Sequence, residues 1–171
     1  MRNASALAKT AKREARKCYH GAIMGMQSTI KEIVAFFPKW TEEEADGNWC
    51  AAFMYFCCVR AGMKISIRPK ECASCNLAGC GAWEEWAMGD ERLQYHSSTD
   101  VAFAPKAGDI VLFDRVFCDR EHDHIGIVVE NKAKSIMVAE GNINNASGVV
   151  ERKKDAHIRG YISIPDRFSY S

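Results

Sequence analysis

An α+β fold is the class this sequence predicts, and the order of its apolar patterns is what predicts it. The first half carries helix-length apolar stretches. The second carries short runs rich in β-branched residues, separated by turn residues. Helices first and an antiparallel sheet afterwards is the α+β order, with N-terminal helices packed on the sheet. A chain of 171 residues with 47% hydrophobic content can bury one substantial core. No repeat, low-complexity tract or domain-separating linker interrupts it. Residues 1–40, a basic and amphipathic helical segment, and residues 41–171 are therefore expected to form one compact unit.

Taken in order, residues 1–17 hold Arg2, Lys9, Lys12, Arg13, Arg16 and Lys17 against a single acid, Glu14. Alanines and Leu7 lie among them, so the segment reads as a basic helix, solvated and partly frayed. Ile23, Met26, Ile30, Ile33 and Phe37 recur at helical spacing, which predicts an amphipathic helix ending at Pro38. Gln27, Ser28, Thr29, Lys31 and Glu32 keep this stretch well short of the roughly 20 apolar residues of a membrane span. The basic start is followed by too short an apolar region, and by no small-x-small site, for a signal peptide. Synthesis in the cytoplasm without the usual export signal is the expectation.

Thr41-Glu42-Glu43-Glu44 has the capping-box pattern and predicts a short helical turn before the Asp46-Gly47 break. From Cys50 to Gly62 the chain is apolar on nearly every side, which predicts a helix at the centre of the domain, closed by Gly62 in a C′ position. Residues 64–92 read as irregular apart from a short helix near 82–88, where Trp83 and Trp86, with Tyr95 beyond, read as core more than as groove lining. Strands are predicted at 110–113, in a hairpin at 123–142, near 149–152 and near 158–164.

The hairpin carries the most information. Asp123-His124-Ile-Gly-Ile-Val-Val and Ile136-Met-Val-Ala-Glu140-Gly-Asn142 flank an Asn131-Lys132-Ala133 loop. Pairing them antiparallel about Lys132 sets Val128 against Ile136, Gly126 against Val138 and His124 against Glu140. Directly opposed side chains have Cβ atoms roughly 5 Å apart. A base and its orienting carboxylate are thereby expected side by side, and a nucleophile is what they lack. Cys50 supplies one: in the first turn of its helix, free backbone N–H groups and the helix dipole favour a thiolate.

Trp49-Cys50-Ala-Ala-Phe, Pro105-Lys-Ala-Gly108-Asp109-Ile-Val-Leu-Phe, Asp123-His124-Ile-Gly-Ile-Val and Glu140-Gly-Asn142 resemble, in that order, the CHAP family. These are cysteine, histidine-dependent amidohydrolases/peptidases of bacteria and their phages, related to NlpC-type cell-wall peptidases. The resemblance, covering 48–165, implies a papain-like fold with the nucleophile at a helix N-terminus. It implies Cys50 as nucleophile, His124 as general base, Glu140 as orienting acid and Asn142 as a further polar member. It also implies peptidoglycan as substrate, action at the bacterial wall and a bacterial or phage source. Many members place Gln before the cysteine, where it helps hold an oxyanion. This chain has Trp49, which leaves the Cys50 backbone N–H as the donor.

The expected reaction is cleavage of an amide bond, as an N-acetylmuramoyl-L-alanine amidase or a peptide-bond endopeptidase, and it needs no metal or cofactor. Acyl transfer or transpeptidation on the same fold is one alternative; a non-catalytic wall-binding or zinc-stabilised module is the other. A formal net charge of +1 argues against nucleic acid as the partner. The basic N-terminus offers contact with an anionic wall polymer such as teichoic acid, and a monomer is expected. Among the remaining cysteines, Cys57 and Cys58 read as buried helix residues and Cys18 and Cys118 as isolated. Cys72, Cys75 and Cys80 have metal-like spacing but lack a local fourth ligand, and reduced loop thiols are the favoured reading. His122 reads as a rim residue, and His20, His96 and His157 show no partner signal.

Overall fold

Apolar residues on every side leave the segment after Asn48 no face for solvent, and it becomes the central helix of the fold. The structure, a computed structural model, describes residues 3–165 and 168. Arg2 and the far end of the 41–171 segment lie outside the described residues. The described elements are α1 (Asn3–Ala15), α2 (Lys31–Val34), α3 (Glu42–Ala45), α4 (Cys50–Arg60) and α5 (Cys80–Gly89). The strands β1 (Gln94–Ser97), β2 (Ile110–Phe113), β3 (His124–Asn131), β4 (Ser135–Ile143), β5 (Ala146–Lys153) and β6 (Ile158–Ser163) follow. Every pairing is antiparallel, in one sheet ordered β1-β6-β2-β3-β4-β5. The α+β class holds.

All residues of α4 from Cys50 to Cys58 are buried. Phe53, Met54 and Phe56 are each fully enclosed, and burying such a side chain stabilises by about 1.5–3 kcal/mol. Gly62, at φ +87°, ends the helix: its N–H reaches Val59 O and the Met63 N–H reaches Cys58 O at 3.0 Å. The Thr41 capping box forms as its pattern predicts. Thr41 Oγ1 accepts from the Glu44 N–H at 3.2 Å, and Glu44 Oε2 accepts from the Thr41 N–H at 3.0 Å.

Two helical expectations are corrected. The stretch 21–37 keeps helix only at Lys31–Val34, so Ile30, Ile33 and Phe37 are buried while Ile23 and Met26 are exposed. Gly25 at φ +76° and the Met26 N–H to Ile23 O bond turn the chain back, and Thr29 N–H bonds His20 O, so 20–29 is a loop. The basic N-terminal helix is no frayed leader. Leu7, Ala8, Ala11 and Ala15 bury one side of α1, which packs on α4 and on β3, β4 and β5. Glu14, 1% exposed, takes hydrogen bonds from Arg13 and Tyr19 and an ion pair from Lys17 at 2.7 Å. Strand β1 was not legible, because Gln94-Tyr-His-Ser97 lacks an apolar alternation and forms by pairing with the edge of β6.

The sheet has two covered faces. Ile110, Leu112, Ile125, Ile127 and Ala139 lie in the larger core with α4, whereas Val111, Phe113, Val128, Ile136 and Val138 form a smaller one on the other side. Gly141 lets β4 approach α4 closely: a Cβ there would come 2.7 Å from Phe53 Cγ and 2.8 Å from Trp49 Cζ3. That close approach brings the end of β4 beside the start of α4.

Candidate active site

The hairpin delivers an imidazole and a carboxylate to one place, but through a different register from the one the sequence suggests. The loop is Lys132-Ala133-Lys134, and a bulge between Val128 and Glu130 shifts the pairing again, so that Val128 lies opposite Val138 and Ile127 opposite Ala139. At the open end this is a two-residue correction: Gly126, not His124, lies level with Glu140. The pair still meets, diagonally. His124 Nε2 and Glu140 Oε2 are 2.6 Å apart, and both side chains are essentially inaccessible to solvent. Gly126 opens the path, because a Cβ there would overlap Val138 Cγ1 and sit 2.9 Å from Glu140 Cγ.

With Nε2 committed to Glu140, Nδ1 is the ring nitrogen left for Cys50. It is buried and has no conventional hydrogen-bond partner among the described residues. Cys50, the first residue of α4 and 5% exposed, lies near enough to this ring for each to shift the other's titration. The Cys50 thiol is pulled down to about 5. A hydrogen bond from Cys80 is the main cause; burial opposes it, and the neighbouring His124 imidazolium and the Ala51 N–H assist it. Burial pulls His124 down, but the neighbouring Cys50 thiolate and the bond to Glu140 outweigh that and raise it to about 9. The two shifts agree on a resting thiolate–imidazolium pair.

Sequence reasoning missed three supports. Arg152 on β5 donates from Nε to Glu140 Oε1 at 2.8 Å and from Nη2 to Oε2 at 2.7 Å, a bidentate clamp. Burial pushes the Glu140 carboxyl up, but the bonds from Arg152 and His124 win and hold it below its ordinary value. The guanidinium also lies over the rings of Phe113 and Phe117. Cys80, grouped from its spacing with a loop cluster, instead places its sulfur 3.5 Å from that of Cys50.

Asn145 is the third. Its Oδ1 accepts from Gly47 N–H and Trp49 Nε1–H, and its Nδ2 donates to Asp46 and Ala22. It ties the loop before Cys50 to the β4–β5 turn. Asn142, Asn144 and Asn145 all have positive φ, and a run of asparagines is the signal that could have marked this turn, since Asn tolerates that conformation best after Gly.

Asn142 lines the groove, and its Nδ2 donates to Gly47 O at 2.9 Å, bracing the loop before Cys50. Trp49 is fully buried and turned toward Asn145, so it supplies no oxyanion donor. His122 bonds Glu84 at 2.8 Å in a cluster with Arg159. Trp83 and Trp86 are core, and His96 has partners, stacking on Phe103 beside Asp100. Cys72 donates to Ala82 O and Ser74 Oγ to Cys75, so the metal-like spacing does not converge. No group of three His, Cys, Asp or Glu side chains fit to hold a metal ion occurs among the described residues.

A groove of about 430 Å³ reaches the cysteine, lined by Asn48, Cys50, Phe117, Cys118, Arg120, Asp123 and Asn142 among others. Hollows of about 720 and 790 Å³ lie elsewhere and touch neither Cys50, His124 nor Glu140. The groove is assigned to the site because Cys50 lines it.

A family model, that of the CHAP domain, matches residues 42–142, which contain Cys50, His124, Glu140 and Asn142. The chain belongs to the CHAP family. No curated protein matches it in a sequence search. The CHAP domain is of peptidoglycan-hydrolase type, with amidase or peptidase activity on the cell wall. No described helix is long and apolar enough to cross a membrane.

Proposed function

We propose that this CHAP protein is a cysteine hydrolase that cuts an amide bond of peptidoglycan, either muramoyl–alanine or a peptide bond. The buried convergence of Cys50, His124 and Glu140 carries the reading. The Cys50 thiolate attacks the carbonyl carbon, and the charge that develops on oxygen is met by the Cys50 N–H at the start of α4, whose cap residue contributes no side-chain hydrogen bond. The His124 imidazolium donates its Nδ1 proton to the departing nitrogen, the C–N bond breaks and a thioester remains. Neutral His124 then takes a proton from water, which attacks the thioester and frees the acid. Glu140 fixes the ring and stabilises its charged form, and Arg152 keeps Glu140 ionised. Asn142 and Asn145 hold the loop that carries the nucleophile.

We assign the protein to a bacterium or its phage, acting as a monomer whose segments 1–40 and 41–171 work as one unit. Made in the cytoplasm, it reaches the wall by phage lysis or a non-standard route. Exposed Lys9 on α1 and exposed Arg16 just past its end suit contact with an anionic wall polymer. Digestion of purified walls in ¹⁸O-labelled water tests the reaction. One heavy oxygen in each new carboxyl group marks a hydrolase; an acyl group passed to an added amine marks a transferase. Intact fragments would refute both.

A further inference from the structure

Cys80 is no part of the proton and acyl transfers above, yet it occupies a constrained position. It is the first residue of α5, a ten-residue helix whose N-cap Gly79 contributes no side-chain hydrogen bond. Cys50 is the first residue of α4. Two helix starts therefore converge, each presenting a thiol, with the sulfurs 3.5 Å apart and both cysteines free. A disulfide bond is about 2.05 Å long, so side-chain rotation and a small approach of the two helix ends would close the gap. The other six thiols lie elsewhere. Cys57 and Cys58 are fully enclosed in α4, Cys72 bonds Ala82 O, Cys18 bonds Arg16 O, Cys75 accepts from Ser74 Oγ, and Cys118 sits at the groove rim with Arg120 and Asp123.

We propose that Cys50 and Cys80 are a redox-modification site, closing into a reversible disulfide when the groove admits a peroxide. The Cys50 thiolate attacks one peroxide oxygen, the O–O bond breaks, and the hydroxide released takes the His124 proton to leave as water, with Cys50 now a sulfenic acid. Neutral His124 takes the proton of Cys80. The Cys80 thiolate attacks the Cys50 sulfur, the S–O bond breaks, and hydroxide leaves as water with that same proton. Two thiols and one peroxide become one disulfide and two waters. The disulfide occupies the sulfur that the amide reaction needs, and spares it from irreversible oxidation to the sulfinic acid. A thiol reductant restores it. The hold on activity rests on Cys50 being the nucleophile; the disulfide itself does not.

The test treats the full chain with hydrogen peroxide at pH 7, blocks free thiols with iodoacetamide and maps the peptides. A cross-linked pair joining the Cys50 and Cys80 peptides is expected, with loss of Cys50 labelling and full recovery of both after dithiothreitol. In Cys80→Ser, and in Cys80→Ala as a second variant, Cys50 should instead reach the sulfinic acid, which dithiothreitol does not reverse. A Cys50–Cys118 link, or sulfinic acid forming as readily in the unaltered chain as in the variants, would overturn the proposal. Wall lysis that persists in the cross-linked protein would leave the disulfide standing and remove the nucleophile assignment instead.

Discussion

Replacing Gly126 with alanine adds one methyl group and removes nothing, yet it should uncouple His124 from Glu140. The new Cβ would overlap Val138 Cγ1 and stand 2.9 Å from Glu140 Cγ. Ordinary carbon contacts lie near 3.5–4.0 Å, so the glutamate side chain must retreat by about 0.6–1.1 Å. The His124–Glu140 bond of 2.6 Å then stretches beyond about 3.2 Å, outside good hydrogen-bond range. Misplacement on this scale can lower turnover by about 10²-fold. Overpacking costs about 1–3 kcal/mol, and at about 2–4 °C per kcal/mol for a domain of this size a 2 kcal/mol loss lowers Tm by about 4–8 °C. Wall-lysis rates and thermal melts read both effects. Adding Val138→Ala should raise Tm relative to Gly126→Ala alone without restoring turnover, because the glutamate contact remains. Wild-type turnover in Gly126→Ala would refute the diagonal pairing as a requirement for activity, and an unchanged Tm would refute the close contact itself.

Other outcomes follow from the same geometry. Limiting iodoacetamide at pH 6 should label Cys50 before Cys118, Cys75 or Cys72, read by peptide mapping; Cys57→Ser and Cys58→Ser should mainly lower Tm, since both thiols are enclosed in α4. With the Cys50 thiol near 5 and His124 near 9, activity should form a plateau between them. It falls at lower pH as the thiolate takes a proton and at higher pH as the imidazolium loses the one it must donate; an acid limb centred near 8 would contradict the ion pair. Arg152→Gln removes two bonds that hold Glu140 ionised, so the carboxyl rises and the acid limb moves to higher pH, with a stability loss of about 3 kcal/mol. Arg152→Lys should recover part of both. His124→Ala should be inactive, Glu140→Ala slowed by on the order of 10⁴, and Glu140→Gln intermediate, whereas His122→Ala keeps most activity; kinetics on purified walls separate these.

Which parts of this site a sequence can reveal depends on how local their signals are. The α4 helix, the Thr41 capping box and strands β2, β5 and β6 were legible because apolar period, caps and turn residues act within a few positions. Cys50, His124 and Glu140 were legible as residue types in order, and as a family resemblance. The register was not. A bulge at Val129 and a loop centred on Ala133 instead of Lys132 are backbone events whose only sequence trace is their compatibility with packing. The pairing of His124 with Glu140 survived a two-residue error because Gly126 leaves room for a diagonal reach. Arg152 and Cys80 lie 12 residues after Glu140 and 30 after Cys50, on elements whose own patterns say nothing about the groove. The amphipathic pattern at 21–37 failed for the opposite reason: Gly25 and the His20–Thr29 backbone bond overrode a period that matched only from Ile30 onward.

The most direct test of the account compares purified protein and its Cys50→Ala variant on the same purified peptidoglycan, with the released fragments resolved by mass spectrometry. Because Cys50 is the first residue of a buried helix, alanine should fold there with nearly the same Tm, so any difference reports chemistry. Fragments with a new carboxyl and a new amine end are expected from the unaltered protein and none from Cys50→Ala. Equal fragment release by the two proteins would contradict the account.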